Sequence, residues 1–447
     1  MPVKNSIESY KEAIDRLEKS GIKYLRVAAV DLAGQPRVVT IHKSSLNEVI
    51  YEGAGIDGSS VPGFTEIEES DLVIKPDLNT LVIAPWDSPH VAWVIGDIYK
   101  HNNEPFEKNP RSILKNTLGS VKKLGLRVLM GVELEFFLVT GPQPKPLDDG
   151  YYYSAEPTRI GDEICRKIGE LFDTYNVVKH HHEVAPGQYE FTLEASDPLT
   201  IADRLFLVKT AFKFMAKERG ITATFMPKPF WGINGSGAHI HMSLWRGNKN
   251  LFYEDAEKVS KAAVNFVSGI LDHSRALSAI VAPLVNSYKR LVPGYEAPVY
   301  IAWAYGNRSA IIRVPAHLVK NKVEAHIEYR HPDPSLNPYL ALSVIIAAGI
   351  EGINRKLESQ PVNVNLYHLS NTEREKLGVK ALPVNLGEAV EDLTHDSLVK
   401  STLGEALYES FINLKKREYD DYISSVGSWD STKYTITEWE YKRYLNI

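Results

Sequence analysis

The spacing of apolar positions changes along the first hundred residues. Residues 5–19 place apolar side chains three or four positions apart, which predicts an amphipathic helix. Residues 22–42 alternate between apolar and polar side chains around a turn at 34–36, which predicts a β-hairpin. Another strand-rich region covers 80–98, and the Asn- and Pro-containing stretch 102–110 indicates a boundary between domains.

The pattern after this boundary mixes helices with isolated strands. It predicts a helix over 111–124 and a strand over 126–139. Strands and helices do not alternate in a strict βαβ order, and the sequence contains no internal repeat. The sequence therefore favours an α+β fold over a doubly wound sheet.

Composition excludes several classes of protein. The 447 residues are 44% hydrophobic, and the formal net charge of −5 comes from well-mixed basic and acidic residues. Because the chain has no basic stripe to neutralise phosphates, we expect no nucleic-acid partner. Cys165 is the only cysteine, which excludes an intrachain disulfide and a thiolate zinc site.

The hydropathy of the chain indicates its cellular location. The N-terminus lacks the apolar core of a signal peptide. The longest apolar run, near 341–350, is far shorter than the ~20 residues that span a bilayer. We therefore expect a soluble, cytoplasmic protein with no membrane partner.

The stretch 231–243 is the most informative in the chain. Its small residues, 235–237, would let the backbone approach a ligand closely. An alternating run follows, so His239, His241 and Ser243 share one face of a predicted strand. This arrangement suits a metal ion or a nucleotide better than a core.

Two pairs of glutamates are candidates for metal binding, because the predicted strands bring the members of each pair close together. Glu133 and Glu135 are two apart in an apolar strand and so share a face, although a solvated strand face would give the same pattern. Glu183 and Glu190 flank a Pro-Gly turn, as they would across a hairpin, although the histidine run at 180–182 also fits a polar turn.

A fifth carboxylate, Glu328, lies two residues before Arg330, a spacing that also fits a surface ion pair. Five carboxylates with His239 form an oxygen-rich set without thiolates, which is typical of Mg²⁺ or Mn²⁺ sites. One Mg²⁺ usually takes fewer protein carboxylates, so the set favours two ions, as in phosphoryl-transfer sites.

Arginines complete the candidate site. Arg290 precedes a Pro-Gly loop, and the stretch 307–313 supplies Arg308 and Arg313. Arginine binds carboxylate or phosphate with two parallel hydrogen bonds, although each of these residues alone could form a structural ion pair. The chain has neither a P-loop nor a Gly-x-Gly-x-x-Gly motif, so arginines and metal ions would have to hold a nucleotide's phosphates.

Taken together and in order, these motifs identify the family that the chain resembles. It resembles bacterial and archaeal type I glutamine synthetases of the short form over nearly its whole length. The segments that carry the resemblance are 57–60, 68–71, 131–137, 181–190, 234–243, 286–298, 307–313 and 328–339.

The resemblance implies a fold and an assembly. It implies a small β-grasp-like N-terminal domain (1–105) and a large catalytic domain (106–447) with a mainly antiparallel curved sheet and flanking helices. The C-terminal tail would clamp two hexameric rings into a dodecamer, a homo-oligomer whose active sites are shared between neighbouring subunits.

The resemblance also implies a reaction and its cofactors. The reaction would be ATP-dependent ligation of ammonia to L-glutamate through γ-glutamyl phosphate, which yields L-glutamine. ATP would be a co-substrate, and each site would hold two or more Mg²⁺ ions, with Mn²⁺ as an alternative. The metal ligands would form two groups: Glu135, Glu183 and Glu190; and Glu133, His239 and Glu328.

The remaining implied residues bind substrates. The positions that would bind glutamate are Asn234, Gly235, Arg290 and Arg330. The positions that would bind the nucleotide are His241 and Ser243, and those that would bind its phosphates are Arg308 and Arg313. The positions that would bind ammonium are Asp57, Ser60, Tyr151 and Glu296. Of these, three would be catalytic. Asp57, donated with Ser60 by the adjacent subunit, would deprotonate ammonium, Glu296 would act as a lid, and Arg308 would neutralise the transferred phosphate.

The chain departs from the family pattern at three positions. His326 stands where bacterial relatives carry an arginine beside the nucleotide, and Val178 lies near a frequent carboxylate position. Glu66 replaces an arginine of feedback-inhibited relatives. Tyr367 aligns with a modified tyrosine, but we interpret it as a structural or surface residue.

Two other functions remain open from the sequence. A γ-glutamyl ligase for an organic amine, such as ethanolamine or a polyamine, would share the fold and the first half-reaction. The intact ammonium positions favour ammonia instead. A non-catalytic regulatory homologue is the second alternative, and the six intact metal positions argue against it.

Overall fold

The computed structural model describes residues 7–155, 159–255, 258–315 and 322–447. A first sheet forms within the first hundred residues. Its helices and strands are α1 (Ile7–Lys19), β1 (Tyr24–Val30), β2 (Pro36–His42), α2 (Leu46–Glu52), β3 (Ala54–Asp57), β4 (Asp71–Pro76), β5 (Val82–Ile83) and β6 (Val91–Lys100).

The first sheet has the strand order β2-β1-β6-β4-β3, with β5 paired to β6. β1 and β2 form the predicted hairpin, and α1 confirms the first helix from residue 7, residues 5–6 lying outside the described residues. β1 also pairs with β6 in parallel, which places the first and last long strands side by side. The region predicted as strand-rich, 80–98, contains only the short β5 before β6.

A second, larger sheet and most helices follow. These elements are α3 (Pro110–Lys123), β7 (Arg127–Thr140), β8 (Lys145–Pro146), α4 (Arg159–Leu171), β9 (Val177–His182), β10 (Gln188–Ser196), α5 (Pro198–Lys217), β11 (Thr222–Thr224), β12 (Ala238–Arg246), β13 (Lys249–Asn250), α6 (Lys261–Val281), α7 (Ser287–Arg290), β14 (Tyr300–Tyr305), β15 (Ala310–Val314), β16 (Ile327–Tyr329), α8 (Pro338–Arg355), α9 (Asn371–Lys376), β17 (Lys380–Ala381), α10 (Leu386–Thr394), α11 (Ser397–Leu403), α12 (Glu405–Val426), α13 (Trp429–Thr432) and α14 (Glu438–Tyr444).

The second sheet is mainly antiparallel and has the order β17-β14-β15-β16-β12-β7-β10-β9, with only β14 and β15 parallel among its described pairs. The helix predicted over 111–124 and the strand predicted over 126–139 are confirmed as α3 and β7. α6 and α8 pack closely because glycines face each other: a Cβ on Gly269 would lie 2.1 Å from the Ala348 carbonyl oxygen.

Arg111 joins the two sheets. It lies on α3 with only 3% of its side chain exposed, and its Nη2 lies 2.8 Å from oxygens of both Asp77 and Asp203. Its Nη1 lies 3.1 Å from Asp97 on β6. Because Asp203 belongs to α5, one buried guanidinium connects the first sheet to a helix that packs on the second.

The C-terminal tail docks on its own chain. On α14, Glu440 and Tyr444 are buried, and the Tyr444 hydroxyl donates to Glu418 of α12 at 2.6 Å. A clamp between rings stays a prediction for this tail. Within the described part of the chain, no helix has the length and apolarity needed to cross a membrane.

Candidate active site

A cavity of about 110 Å³ opens at the second sheet and brings together most of the predicted site residues. All six predicted metal ligands line it, as do all four predicted glutamate-binding residues, the lid residue and both phosphate-binding arginines. These thirteen residues are Glu133, Glu135, Glu183, Glu190, His239, Glu328, Asn234, Gly235, Arg290, Arg330, Glu296, Arg308 and Arg313.

One cluster of potential metal ligands forms where β12 lies between β7 and β16. Glu133 faces His239 across the β7–β12 ladder. The Nδ1 atom of His239 lies 3.3 Å from Glu133 and 3.7 Å from Glu328. Ligand atoms of these three residues all lie within 4.8 Å of one another, which is close enough to hold a single ion. This is the trio that the resemblance implies.

A second cluster forms on the β9–β10 hairpin. The hairpin predicted around the Pro-Gly turn is confirmed, and Glu190 lies opposite both His181 and Glu135 on its neighbouring strands. Ligand atoms of His181, Glu183 and Glu190 lie within 4.8 Å of one another. Glu135, which the resemblance groups with these glutamates, accepts a hydrogen bond from the Gly237 amide at 2.7 Å.

The histidine run is divided by the alternation of β9. His181 lies opposite Glu190 of β10, and its Nδ1 is buried without a hydrogen-bond partner among the described residues. His180 and His182 contact Asp162 and Asp148 instead, each at 2.8 Å. The sequence reading missed His181, although its position two residues before Glu183 carries the signal.

The carboxylates repel one another at the second cluster. Burial, together with the charges of Glu183 and Glu190, raises the pKa of Glu135. Burial and the charge of Glu133 likewise raise the pKa of Glu190. Buried like charges at this spacing favour either a proton or a bound cation. Carboxylate oxygens with an orphaned imidazole nitrogen fit Mg²⁺ or Mn²⁺.

Other carboxylates of the cavity stay ionised through protein partners. Burial by itself would raise the pKa of Glu133. Hydrogen bonds with His239 and His241 outweigh this effect, so the pKa of Glu133 is lowered. At Glu328, burial is outweighed chiefly by Arg330, which lowers the pKa of that carboxyl. Arg330 donates to one Glu328 oxygen and Arg313 to the other, each at 2.5 Å.

The backbone is packed tightly beside Arg290. The guanidinium donates to the carbonyls of His331 and Arg330 at 2.8 and 3.0 Å, which fixes its orientation. A Cβ on Gly237 would lie 2.7 Å from Arg290 Nη2, and one on Gly235 would lie 2.5 Å from the Pro227 carbonyl oxygen. Only glycine therefore fits at both positions without rearrangement.

The predicted lid residue lies on a strained loop. Glu296 is exposed, lines the cavity and has a φ of 56°, a left-handed conformation that is uncommon outside glycine. Next to it, the ring of Tyr295 packs 3.8 Å from Nζ of the buried Lys228. Beyond it, the Tyr367 hydroxyl donates to the Ala297 carbonyl at 2.7 Å, and burial raises the pKa of Tyr367 to about 12. Tyr367 thus supports the lid loop.

The predicted nucleotide residues lie beside the cavity without lining it. His241 Nε2 lies 3.4 Å from Glu133, and its Nδ1 lies 2.9 Å from Nε2 of His326. His326 donates through Nδ1 to the Glu324 carbonyl at 2.6 Å. Ser243 accepts a hydrogen bond from the Trp245 indole at 2.9 Å.

Three predicted ammonium residues lie away from this cavity. Asp57 is exposed on the first sheet, and hydrogen bonds from Ser59 and then Ser60 lower its pKa. Tyr151 is 70% exposed. The tyrosines that line the cavity are its neighbours Tyr152 and Tyr153, with ring centroids 4.0 Å apart.

Family models account for nearly all of the chain. The model "Glutamine synthetase, beta-Grasp domain" matches residues 21–101, and "Glutamine synthetase, catalytic domain" matches residues 107–434. The chain belongs to the glutamine synthetase family. These matches confirm the resemblance and the predicted α+β architecture, a β-grasp domain followed by a larger catalytic domain.

Relatives within this family come from archaea and bacteria. The glutamine synthetase of Methanococcus maripaludis is 40% identical over 99% of this chain and all of its own length. That of Pyrococcus furiosus is 43% identical over 95% of this chain and 97% of its own. The Thermotoga maritima enzyme is 41% identical over 96% of this chain and 99% of its own.

A solved structure described as a GmaS/ADP complex has a similar fold. It superposes with a TM-score of 0.85 at 30% sequence identity and covers 97% of this chain and 99% of its own. An apo GmaS structure superposes with a TM-score of 0.84 at the same identity and coverage.

Proposed function

We propose that this protein is a glutamate–ammonia ligase, which uses ATP to convert L-glutamate and ammonia into L-glutamine through γ-glutamyl phosphate. The observation that carries the proposal is one cavity whose lining brings six glutamates and the His239 imidazole together with four arginines. Carboxylates suit metal ions, and arginines suit the anionic groups of glutamate and ATP.

The first half-reaction needs positioning and neutralisation of charge. The γ-carboxylate of glutamate is a poor electrophile until its oxygen attacks the γ-phosphorus of ATP. Arg290 and Arg330, with Asn234 and Gly235, would hold glutamate, and Arg308 and Arg313 would face the transferred phosphate. Such donors stabilise charge most strongly where water is excluded. His241 and Ser243 would border the nucleotide.

The two clusters would hold divalent ions, two or more per site, as Mg²⁺ or Mn²⁺. Glu133, His239 and Glu328 would be the ligands in one cluster, and Glu183, Glu190 and the predicted Glu135 in the other, with His181 as an added candidate. When bound, these ions neutralise the phosphate oxygens of ATP.

The second half-reaction needs a nucleophile and a dry site. Asp57 would favour ammonium and remove its proton, with Ser60 and Tyr151 beside it. Because Asp57 is exposed on the first sheet, its contribution fits a site shared with an adjacent subunit of a homo-oligomer, which we expect to be a dodecamer. Glu296 would close the cavity against water and accept a proton.

Two further parts of the proposal concern organisation. We divide the chain into residues 1–105 and 106–447, which the matched ranges 21–101 and 107–434 support. We also place the reaction in the cytoplasm, where ATP is available.

Phosphate release tests the proposal directly. The assay combines the full-length protein, ATP, glutamate and Mg²⁺ with ammonium or with organic amines such as ethanolamine and polyamines. We expect ammonium to stimulate release most strongly and glutamine to be the product. Stimulation mainly by an organic amine would overturn the nucleophile, and no turnover with any amine would favour a regulatory homologue.

A further inference from the structure

Lys179 lies within the cavity but has no assigned role. It belongs to β9, where the alternation of side chains places it on the same face as His181. Its Nζ lies 3.0 Å from Glu190 Oε1 and 3.5 Å from Glu133 Oε1. The side chain is 44% exposed, so the ammonium group contacts both carboxylates from the solvent side.

The sheet register explains this reach. Lys179 lies opposite Thr192 on β10, and Thr192 lies opposite Glu133 on β7. Threonine is short, and its hydroxyl is turned to Glu190, to which it donates at 3.0 Å. The long lysine side chain therefore extends over Thr192 and joins one carboxylate from each of the two clusters.

Three of the four arginines that line the cavity are engaged elsewhere. Arg313 and Arg330 both donate to Glu328. Arg290 donates to two backbone carbonyls. Among the described residues, Lys179 is the one whose ammonium or guanidinium group contacts both Glu133 and Glu190.

We infer that Lys179 competes with divalent cations for Glu133 and Glu190 and so sets the affinity of the cavity for these ions. A carboxylate lone pair that accepts an ammonium hydrogen is not available to a metal ion. An ammonium that stays nearby also repels an arriving divalent ion, because Coulomb energy is large at such distances in a partly buried site. This inference rests on the proposed metal dependence.

Titration calorimetry of the chelator-treated, full-length protein tests the inference. Mg²⁺ and, separately, Mn²⁺ are titrated into the wild type and into Lys179→Met, which keeps the length of the side chain without its charge. We expect Lys179→Met to bind at least one of the two ions tighter by on the order of tenfold. Lys179→Arg, which keeps the charge, should stay within about threefold of the wild type.

Lys100→Met is the matched control. Lys100 lies on β6, outside the cavity, and its Nζ pairs with Glu107 at 2.9 Å with a similar exposure of 34%. The Lys100→Met substitution removes a comparable ion pair and should leave the affinity for divalent ions unchanged. An affinity of Lys179→Met equal to or weaker than the wild type would overturn the inference. If even the wild type binds neither ion, the proposed metal dependence fails as well, so the two failures are distinguishable.

Discussion

Glu440, near the C-terminus, forms a fully buried ion pair with Lys289, whose Nζ lies 2.5 Å from its Oε2. The other Glu440 oxygen accepts a hydrogen bond from Asn286 at 2.8 Å. Lys289 directly precedes Arg290, which lines the cavity. The C-terminal helix is therefore fastened to the segment that carries Arg290, for which we propose a role in binding glutamate.

Breaking this pair should destabilise the protein strongly. Glu440→Gln leaves the Lys289 ammonium buried without its counter-charge, which costs about 3–5 kcal/mol. We expect a clear fall in the midpoint of thermal unfolding, and partial recovery when Lys289→Met is added. Lys433→Met, which removes an exposed pair with Asp430, should leave the midpoint of thermal unfolding almost unchanged. Equal effects from the two pairs would contradict this prediction.

Removing the lid carboxylate should uncouple the reaction. Glu296→Ala keeps the residues that we propose hold glutamate and ATP, so binding of both should persist. Water should then reach the acyl phosphate, and phosphate release should exceed glutamine formation. The ratio of the two products, measured in one assay, checks this. A ratio that stays near one would show that Glu296 does not shield the intermediate.

Adding a methyl group at Gly237 should impair the site more than the fold. The new Cβ would lie 2.6 Å from His239 Nε2 and 2.7 Å from Arg290 Nη2, so both side chains must move. We expect Gly237→Ala to lower kcat/KM at least about tenfold, since small displacements of positioning groups cost that much or more. Gly119→Ala, on α3, meets no atom within 4 Å and should retain activity.

Divalent ions should stabilise the protein through the cavity carboxylates. Mg²⁺ at about one hundred times its Kd should add about 2.7 kcal/mol to the free energy of unfolding. Differential scanning fluorimetry with and without a chelator measures the shift in unfolding temperature. Glu133→Gln should reduce the shift, whereas Glu107→Gln, outside the cavity, should not. A shift that Glu133→Gln leaves intact would place the ion elsewhere.

His273 should make stability depend on pH. Burial by itself would lower the pKa of His273. Hydrogen bonds to Asp396 and Glu351, each at 2.6 Å, outweigh this effect and raise the pKa to about 9. The pKa of His273 in the unfolded chain is about 6.5, so below that pH the charged histidine contributes its full stabilisation to the folded state. This contribution is lost as the pH rises toward 9, the pKa in the folded state. Allowing for solvent screening, the contribution is about 1–2 kcal/mol.

Comparison with His273→Gln isolates this contribution. The wild type should unfold at a higher temperature than His273→Gln at pH 6, and the difference should shrink through pH 8 and vanish above pH 9. A difference that is the same at every pH would mean that the histidine acts through packing rather than through its charge.

Local patterns predicted which strand faces carry the side chains that line the cavity, because strand alternation is a local property. The spacing of Glu133 and Glu135 placed both carboxylates on one face of β7, and both line the cavity. The Pro-Gly turn between Glu183 and Glu190 predicted the β9–β10 hairpin. The same alternation in β9 would have predicted that Lys179 and His181 share one face of that strand, but the sequence analysis treated residues 180–182 only as a histidine run.

Other assignments depended on contacts that no local pattern contains. Tyr151, Tyr152 and Tyr153 are chemically identical, and only the fold decides that the second and third line the cavity. His241 shares a strand face with His239, yet its hydrogen bond to His326 comes from the pairing of β12 with β16. Asp57 lies on another sheet from the cavity, so its role depends on how subunits assemble.

The sequence by itself determined the family and several helices and strands, and it predicted an oxygen-rich ligand set, because these follow from side-chain period and from motif order. Only the tertiary structure decided which strands are neighbours, and with that the two clusters and the position of Lys179 between them. Strand pairing joins residues that are distant in the chain, and it is selected by the packing of the whole core. A local pattern therefore cannot specify it.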